Sequence, residues 1–569
     1  MKILKCLFVF LLLIISTTLH AQEKYTISGT VTSKKTGESL IGATIRIVPT
    51  LTGTTSNEYG FFSITLKKGI YTIEISTVGL EKQEQKITLD KNIKLNIALK
   101  EDEAELNEVT VTSTSKGRTI SSPQMGIEKL SMGEIKKIPV LLGERDILKA
   151  IQLLPGIKSA GEGGSGFFVR GGSADQNLIL LDEAPVYNAS HLLGFFSTFN
   201  PDAIKDLVVY KGGMPAQYGG RLSSVLDIKM NDGNNQDYNV SGGVGLISAK
   251  LNIEGPIQKD KSSFLISGRR TYADMFLKLS PDSSIKNNKL YFYDLNAKAN
   301  YQLGKNDKLY LSGYFGRDVL GLGSTFGLNW GNTTATLRWN HIFNSKLFSN
   351  TSFIYSNYDN QLTINNGGIN FKIFSQIKDL NLKEELQWYL NNKNSIRFGF
   401  NSIYHTMRPG EVSSPSSSSV NNNNLPNRYS LENAVYLTNT WKATEKINLT
   451  YGARLTAFSV LGSGDFYNID NTGTVTDTTH YKSGSFVKTY VNLEPRLAAS
   501  YQFNASSSFK ASYVRNVQNL HLISNSTTAL PTDKWVASTT IIKPEISDQF
   551  SIGFYKNLRD NKYEFTVET

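Results

Sequence analysis

Single alternation of apolar and polar residues runs through most of this chain, and its length changes from one region to the next. Between Tyr25 and Leu99 the alternating stretches are short, as in "YTISGTV", "GATIRIV", "FFSITL" and "YTIEIST", with Gly37, Gly53, Gly60 and Gly69 at the breaks. A two-residue period turns one face of a strand toward a core, so closely spaced short strands predict a small β-sandwich over residues 22–99. Between 121 and 235 the periods mix. "ERDILKAIQLLPGI" carries Ile147, Leu148, Ile151 and Leu154 at helical spacing before Pro155 and Gly156 stop it. "NPDAIKDLVVYKGG" offers Asn200 as a helix cap and Pro201 in the first turn, then a strand and a Gly-Gly turn. "FFVRGGSADQNLILLDEAPVYN" runs two glycines and the polar Asp175, Gln176 and Asn177 into the apolar tetrad Leu178–Leu181, which predicts a strand covered on both faces. The region reads as a compact α+β unit.

From residue 236 onward the alternating stretches lengthen to ten residues or more, as in "YNVSGGVGLISAKLNIEGPI", "LYFYDLNAKANYQL" and "LFSNTSFIYSNYD". Some turns between them are short ("LGKND", "FNSK"), whereas 409–429 and 462–487 are long and polar. Short turns at one end and long loops at the other match an antiparallel transmembrane β-barrel, of which thirteen or fourteen strands are expected here. A soluble sandwich or propeller would show shorter strands and a repeated blade motif, and neither is found. The fold class is therefore mainly β: a sandwich, an α+β unit and a barrel.

The N-terminus sets the compartment. Lys2 and Lys5 precede the apolar run Leu7–Ile15, and "TLHA" follows, which reads as an export signal over residues 1–21. The apolar run is too short to span a bilayer as a helix. Cys6, the only cysteine, leaves with that signal, which removes disulfides, cysteine-ligated zinc and a cysteine nucleophile from consideration. The formal charge of +11 is spread along the chain without a dense Lys/Arg block, so no nucleic-acid partner is expected. "GEGGSG" has GxGxxG spacing at Gly161, Gly163 and Gly166, but it neither follows a predicted strand nor opens a helix. The six histidines lack metal-ligand spacing, and no nucleophile or acid–base constellation emerges. The reading is no metal, no cofactor and no enzyme. Residues 100–120 form a linker, acidic and then rich in Ser and Thr. Within it, "LNEVTVTS" is either the last strand of the sandwich or a lone extended segment whose backbone can join another protein's sheet edge.

"SGTVTSKKTGESLIGATIRI" and "NEYGFFSITLKKGIYTIEISTVGL" resemble the carboxypeptidase-regulatory-like family, a transthyretin-like sandwich without catalytic residues. "FFVRGGSADQNLILLDEAPVYNASHLLGFFSTFNPDAIKDLVVYKGGMPAQYGGRLSSVLDI" resembles the plug of TonB-dependent outer-membrane receptors of the Bacteroidota type, and "LEPRLAASYQF" and "LPTDKWVAST" resemble segments of that family's barrel. The resemblance implies a plug at 121–235 inside a barrel beginning at 236, the sandwich in the periplasm, and energised uptake through the outer membrane. It places a TonB box at Leu106, Asn107, Glu108, Val109, Thr110, Val111 and Thr112. TonB, outer-membrane lipid, an unknown imported ligand (siderophore, cobalamin, oligosaccharide or peptide) and a surface lipoprotein are the implied partners. Plug arginines pairing with barrel glutamates in that family make Arg170, Arg221, Glu494 and Arg496 candidates for a polar lock. Tyr187, Asn188 and His191 are candidate ligand contacts at a plug apex. Glu183 stands where the family more often has glycine, so its turn is expected to differ. The family barrel resembles 22 strands, so the chain is expected to be a C-terminally truncated piece; a signal-transducing receptor and a nonfunctional fragment are the alternative readings.

Overall fold

The computed structural model describes residues 23–50, 52–101, 118–135, 137–138, 144–161, 166–367, 369–415, 420, 423–524, 530–559 and 562–569. The expected signal 1–21 and the TonB-box candidate Leu106–Thr112 lie outside the described residues. The short alternating stretches build two four-stranded sheets. In one, Lys24–Ser33 pairs antiparallel with Phe61–Lys67 and parallel with Ile93–Lys94 and Ile97–Leu99. In the other, the order is Gly53–Thr55, Thr44–Val48, Gly69–Ser76, Gln83–Leu89. Their facing positions Ile27, Val31, Ile45, Ile47, Phe62, Ile64, Ile73, Ile75 and Leu89 are each at most 1% exposed, as the two-residue period requires.

The long stretches form one antiparallel sheet whose path runs through fifteen strands from Asn239–Val244 to Tyr563–Glu568. The expectation was thirteen or fourteen. The stretch "YNVSGGVGLISAKLNIEGPI" turns back on itself, with the Gly245 amide donating to the Ser248 carbonyl, and so supplies two strands, Asn239–Val244 paired with Ser248–Gln258. Neighbouring rows face opposite ways. Leu311, Leu337, Phe353 and Leu382 stand in register on adjacent strands and are 56%, 50%, 52% and 43% exposed. One residue along, Ser312, Thr336, Ile354 and Asn381 point inward and are buried, all but Ile354 polar. An apolar outside and a polar lining are what a lipid-facing barrel wall requires. The hairpin ends at 302–307, 344–347, 391–394, 442–447 and 504–507 are tight, whereas the opposite ends carry the long connections 413–428, 461–486 and 518–545.

Inside the lumen sits the α+β unit. Its five-stranded sheet has the order Ala184–Pro185, Asn177–Leu181, Ser224–Met230, Ile204–Tyr210, Ile127–Ser131. Asn177–Leu181 lies parallel to Ser224–Met230 and is covered on both faces. Leu181 and Ile179 join the main core with Leu207, Val209, Leu226 and Ile228; Leu180 and Leu178 join a second cluster with Met214, Tyr218 and Val225. The helix over Ile147–Ile151 is capped by the Asp146 side chain, which accepts from the Lys149 amide at 3.0 Å. Asn200 caps no helix. It opens a single turn, closed by the Ala203 amide on its carbonyl, because the strand Ile204–Tyr210 begins four residues later and leaves no room for a helical ring.

Candidate functional site

The seam between the lodged unit and the lumen wall carries the chemistry. The strand Asn177–Leu181 turns at Asp182 and Glu183, which have φ of 46° and 76°. Side chains rarely adopt this left-handed backbone, so the surroundings must hold it. Asp182 accepts from the Met230 amide at 3.1 Å and pairs with Lys298 at 3.0 Å. Glu183, 7% exposed, accepts from Asn350 and from the Tyr59 hydroxyl, each at 2.9 Å, and faces Arg338 at 3.3 Å and Lys383 at 3.7 Å. Burial pushes the Glu183 carboxyl up, but Lys383 and Arg338 outweigh burial and hold it well below the usual carboxylate range. The glycine-to-glutamate departure is thus a left-handed turn kept by charge instead of by glycine's freedom.

On the side of the long loops the unit's apex meets the wall. His191 is 1% exposed; its Nδ1 lies 2.7 Å from Asp318 and its Nε2 3.3 Å from Asp294, and its ring stacks on Phe292 at 4.0 Å. Arg269 holds Asp294 from behind at 2.6 Å. Burial pushes the imidazole down, but Asp318 and Asp294 outweigh it and raise its pKa. The expectation of a ligand contact at His191 is corrected here: both ring nitrogens are occupied and the side chain is sealed, which makes it an anchor. Tyr187 donates to Asp379 at 2.5 Å and meets Trp535 edge-on at 5.1 Å. Asn188 donates to the Tyr358 hydroxyl at 3.3 Å and its carbonyl accepts from Asn332 at 2.6 Å. Trp535 arrives on the long connection 518–545, whose strands Leu520–Ile523 and Lys534–Ala537 fold inward, with Trp535 in one apolar cluster with Trp330, Tyr358 and Tyr187. That connection also meets the polar run at 175–177: Asp175 accepts from Gln518 at 3.1 Å, and Gln176 donates to Glu545 at 3.2 Å. Asn177 finds its partners within the unit instead, at the Phe167 carbonyl and Ser224.

The four lock candidates do not form one cluster. Arg170 pairs with a barrel glutamate, Glu568, at 2.6 Å, and not with Glu494. Arg221 stacks over Trp535 at 4.9 Å and donates to the Gly220 carbonyl at 2.7 Å. Glu494 faces the barrel's own Arg496 at 3.1 Å and Arg454 at 3.8 Å. Those two arginines then reach the lodged unit's backbone: Arg496 donates to the carbonyls of Met214, at 3.2 Å, and Pro215, and Arg454 to that of Gln217 at 3.5 Å. The pairing expected between plug arginines and Glu494 is thus reversed, with barrel arginines aimed at plug carbonyls and the glutamate orienting them. Sequence reading missed Arg454, Arg338, Lys383, Asp294 and Asp318, since each is one polar residue among many on an alternating strand. Among the described residues, no group of three or more His, Cys, Asp or Glu side chains could hold a metal ion.

Three families match along the chain: a CarboxypepD_reg-like domain over 27–111, a TonB-dependent Receptor Plug Domain over 130–224, and a TonB dependent receptor-like beta-barrel over 264–569. Among curated relatives, TonB-dependent receptor P3 of Formosa agariphila is 31% identical over 146 residues, 25% of this chain and 14% of that protein. TonB-dependent receptor SusC of Bacteroides thetaiotaomicron is 28% identical over 225 residues, 37% of this chain and 22% of that protein. The matches therefore span less than a quarter of those relatives' length. Solved structures share the fold at low identity. The copper transporter OprC superposes with a TM-score of 0.57 at 12% identity, over 77% of this chain and 70% of that one. The hemophore receptor HasR of Serratia marcescens gives 0.56 at 13%, over 78% and 71%. The siderophore receptor PirA of Acinetobacter baumannii gives 0.53 at 16%, over 76% and 68%.

Proposed function

This chain belongs to the TonB-dependent receptor-like β-barrel family, and on that premise we propose that it is an outer-membrane importer whose plug is displaced by TonB to admit a scarce or large ligand. The observation that carries the reading is the seam: the plug is held to the lumen wall by ion pairs and hydrogen bonds that water can replace, from Lys298 to Asp182, Arg338 to Glu183 and Arg496 to the Met214 carbonyl. A seam of large apolar side chains would cost far more to expose as the plug moved. Leu106–Thr112 is the proposed TonB box, paired edge to edge with a strand of periplasmic TonB, which gives a linkage that bears shear. The sandwich stands on the periplasmic side. Tyr187 and Asn188, beneath the inward-folded connection, are the proposed floor of the ligand chamber. Its cargo is a siderophore, cobalamin, an oligosaccharide or a peptide, with a surface lipoprotein as a further partner.

The test is binding of the full chain in detergent to the purified periplasmic domain of TonB. Val109→Pro and Thr110→Pro each remove a backbone donor from the proposed added strand. One of them should weaken binding at least tenfold, because successive residues of a strand direct their amides to opposite edges and one of the two edges must pair with TonB. Undiminished binding by both variants would place the box elsewhere.

A further inference from the structure

The sandwich does not stand clear of the barrel. Along its edge, Asn57 donates to Gln387 at 3.1 Å, the Thr65 amide donates to Asn392 at 2.8 Å, and Phe61 stacks on Phe348 at 5.6 Å. Farther around the rim, Lys94 donates to the Lys305 carbonyl at 2.6 Å, and Lys442 donates to the Gly53 carbonyl at 3.4 Å. These partners lie at or beside the tight hairpin ends, so the sandwich bridges the periplasmic mouth from the turn 302–307 to the turn 442–447.

The same domain also grips the plug. Glu38 accepts from the Asp232 amide at 2.5 Å, Lys205 donates to the Ser39 carbonyl at 2.8 Å, and the Asn235 amide donates to the Thr36 carbonyl at 2.9 Å. At the tip of the loop before Phe61, Glu58 lies 3.5 Å from the plug's Lys229 and 3.6 Å from the barrel's Arg397. Next to it, the Tyr59 hydroxyl donates to Glu183, the plug residue held at φ 76°. The Tyr59 ring stacks on Phe348 at 5.3 Å, with the Arg338 guanidinium 5.5 Å from its centre. One tip therefore touches plug, wall and the strained turn together. Burial would raise the Glu58 carboxyl, but Lys229 and Arg397 overcome it and hold the carboxyl at about 2, so it stays charged at the tip.

We propose that the sandwich is a periplasmic latch: its Glu58–Tyr59 tip holds the plug turn at 182–183 in place, and the domain must undock from the barrel mouth before the plug can leave. Sequence order makes this mechanically direct. The segment between sandwich and plug, 102–117, carries the TonB-box candidate, so a pull on it loads the latch from one end and the plug from the other. The sandwich stands across the mouth through which the plug would move. Tyr59 and Glu183 are joined by a bond that a short displacement of the sandwich breaks, leaving the left-handed backbone at Glu183 to its wall partners Asn350, Arg338 and Lys383 alone. The undocking step rests on the import reading, whereas the latch itself is a contact within this chain that can be tested with neither ligand nor TonB, so the two can fail separately.

Amide hydrogen exchange of the full chain in detergent, without ligand or TonB, reads the latch directly. In the double variant Glu58→Gln, Tyr59→Phe, exchange over 177–186 should quicken at least tenfold while the barrel strands keep their wild-type rates. A second protein carries Lys94→Cys and Asn306→Cys, exposed positions on sandwich and barrel whose side chains meet at 2.9 Å, and the mature chain offers no competing thiol if Cys6 is cleaved with the signal. Bridging them with a short methanethiosulfonate cross-linker should slow exchange over 177–186 at least threefold, and dithiothreitol should restore the original rate. Unchanged plug exchange in both the double variant and the bridged protein overturns the proposal. Because the cross-link removes no buried group, it reads the latch even where the double variant fails to fold.

Discussion

The two halves of the lumen wall hold the plug by different means. Strands between residues 262 and 391 offer charged side chains to charged or ionisable plug side chains: Asp318 to His191, Lys298 to Asp182, Arg338 and Lys383 to Glu183. Strands between 447 and 518 mostly address the plug's backbone, with Arg454 and Arg496 on the carbonyls of 214–217 and Asn516 on the Leu222 carbonyl at 3.3 Å. The first half depends on which side chains the plug carries as well as on its backbone, since Arg269, Lys298 and Asn332 also donate to the carbonyls of Ser197, Met230 and Asn188. The second half depends on how close the plug's backbone can come. Arg170 with Glu568 is the charged exception near the end of the described sheet.

The largest effect is expected where the first half is broken at its centre. Arg338→Ala removes the guanidinium beside a 7% exposed carboxylate on a strained turn, and removing one partner of a buried pair costs about 3–5 kcal/mol. Lys383 at 3.7 Å is too distant to replace it fully. The urea midpoint for exposure of the plug, followed by amide exchange over 177–186, should fall accordingly. Glu183→Gly sharpens the point: glycine relieves the left-handed backbone, worth about 1 kcal/mol, yet strands Arg338 and Lys383 without their acid. A net gain in stability from that variant would show that the turn is set by backbone alone.

Next in size is the titration of His191. Its pKa in the fold is raised above the ordinary 6.5, so the folded plug holds the proton more tightly than the unfolded chain does. The stabilisation is therefore complete below about 6.5 and lost as pH rises through the elevated value. The groups facing the ring are Asp318, Asp294, the Tyr314 hydroxyl and, behind Asp294, Arg269. Hydrogen bonds to a charged group are worth about 1.5–3 kcal/mol, and a drop of that order in plug stability between pH 6 and 9 is expected. His191→Gln should flatten it. A midpoint that climbs with pH in the wild-type chain would reverse the sign and refute the assignment.

The second half breaks differently. A methyl group added at Gly219 would lie 2.4 Å from Arg454 Nε, so Gly219→Ala must push the arginine from its place between Glu494 and the Gln217 carbonyl. Such overpacking costs about 1–3 kcal/mol. If the loss disappears in the pair Gly219→Ala, Arg454→Ala, the close approach is its cause; if the losses add, it is not.

How much of this was legible follows from what each level of order leaves in a sequence. Alternation is a local property, so the sandwich, the barrel wall and the doubly covered strand Asn177–Leu181 could all be read from runs of a few residues. The expected helix at Asn200 failed because its cap signal is real but the strand begins too soon after it. The lock was only half legible. Arg170 was expected to find a barrel glutamate, but Glu568 lies 398 positions away and nothing local marks it. The resemblance singles out Glu494 in "LEPRLAASYQF", yet its role in turning Arg454 and Arg496 toward carbonyls depends on a neighbouring strand and on the absence of a side chain at Gly219. Glu183 was marked as a departure from glycine. Its compensation comes from Tyr59, Asn350, Arg338 and Lys383, residues that only the assembled chain brings together.

The smallest expected effect separates anchoring from ligand contact at the apex. Tyr187→Phe removes a single donor to Asp379, whose other oxygen keeps His405 at 2.7 Å, so the acid is not stranded. Its cost to plug stability should be about 1 kcal/mol, well below that of Arg338→Ala, because the ring keeps its edge contact with Trp535. Tyr187 is only half-buried, unlike His191, and it lies where the inward-folded connection meets the plug. If it also floors the ligand chamber, a stability loss that small should accompany a larger loss of uptake, at least tenfold, once a transported compound is in hand. Uptake falling only in proportion to plug stability would leave Tyr187 as a minor member of the charged half of the wall, and the chamber floor would then lie with Asn188 and Trp535.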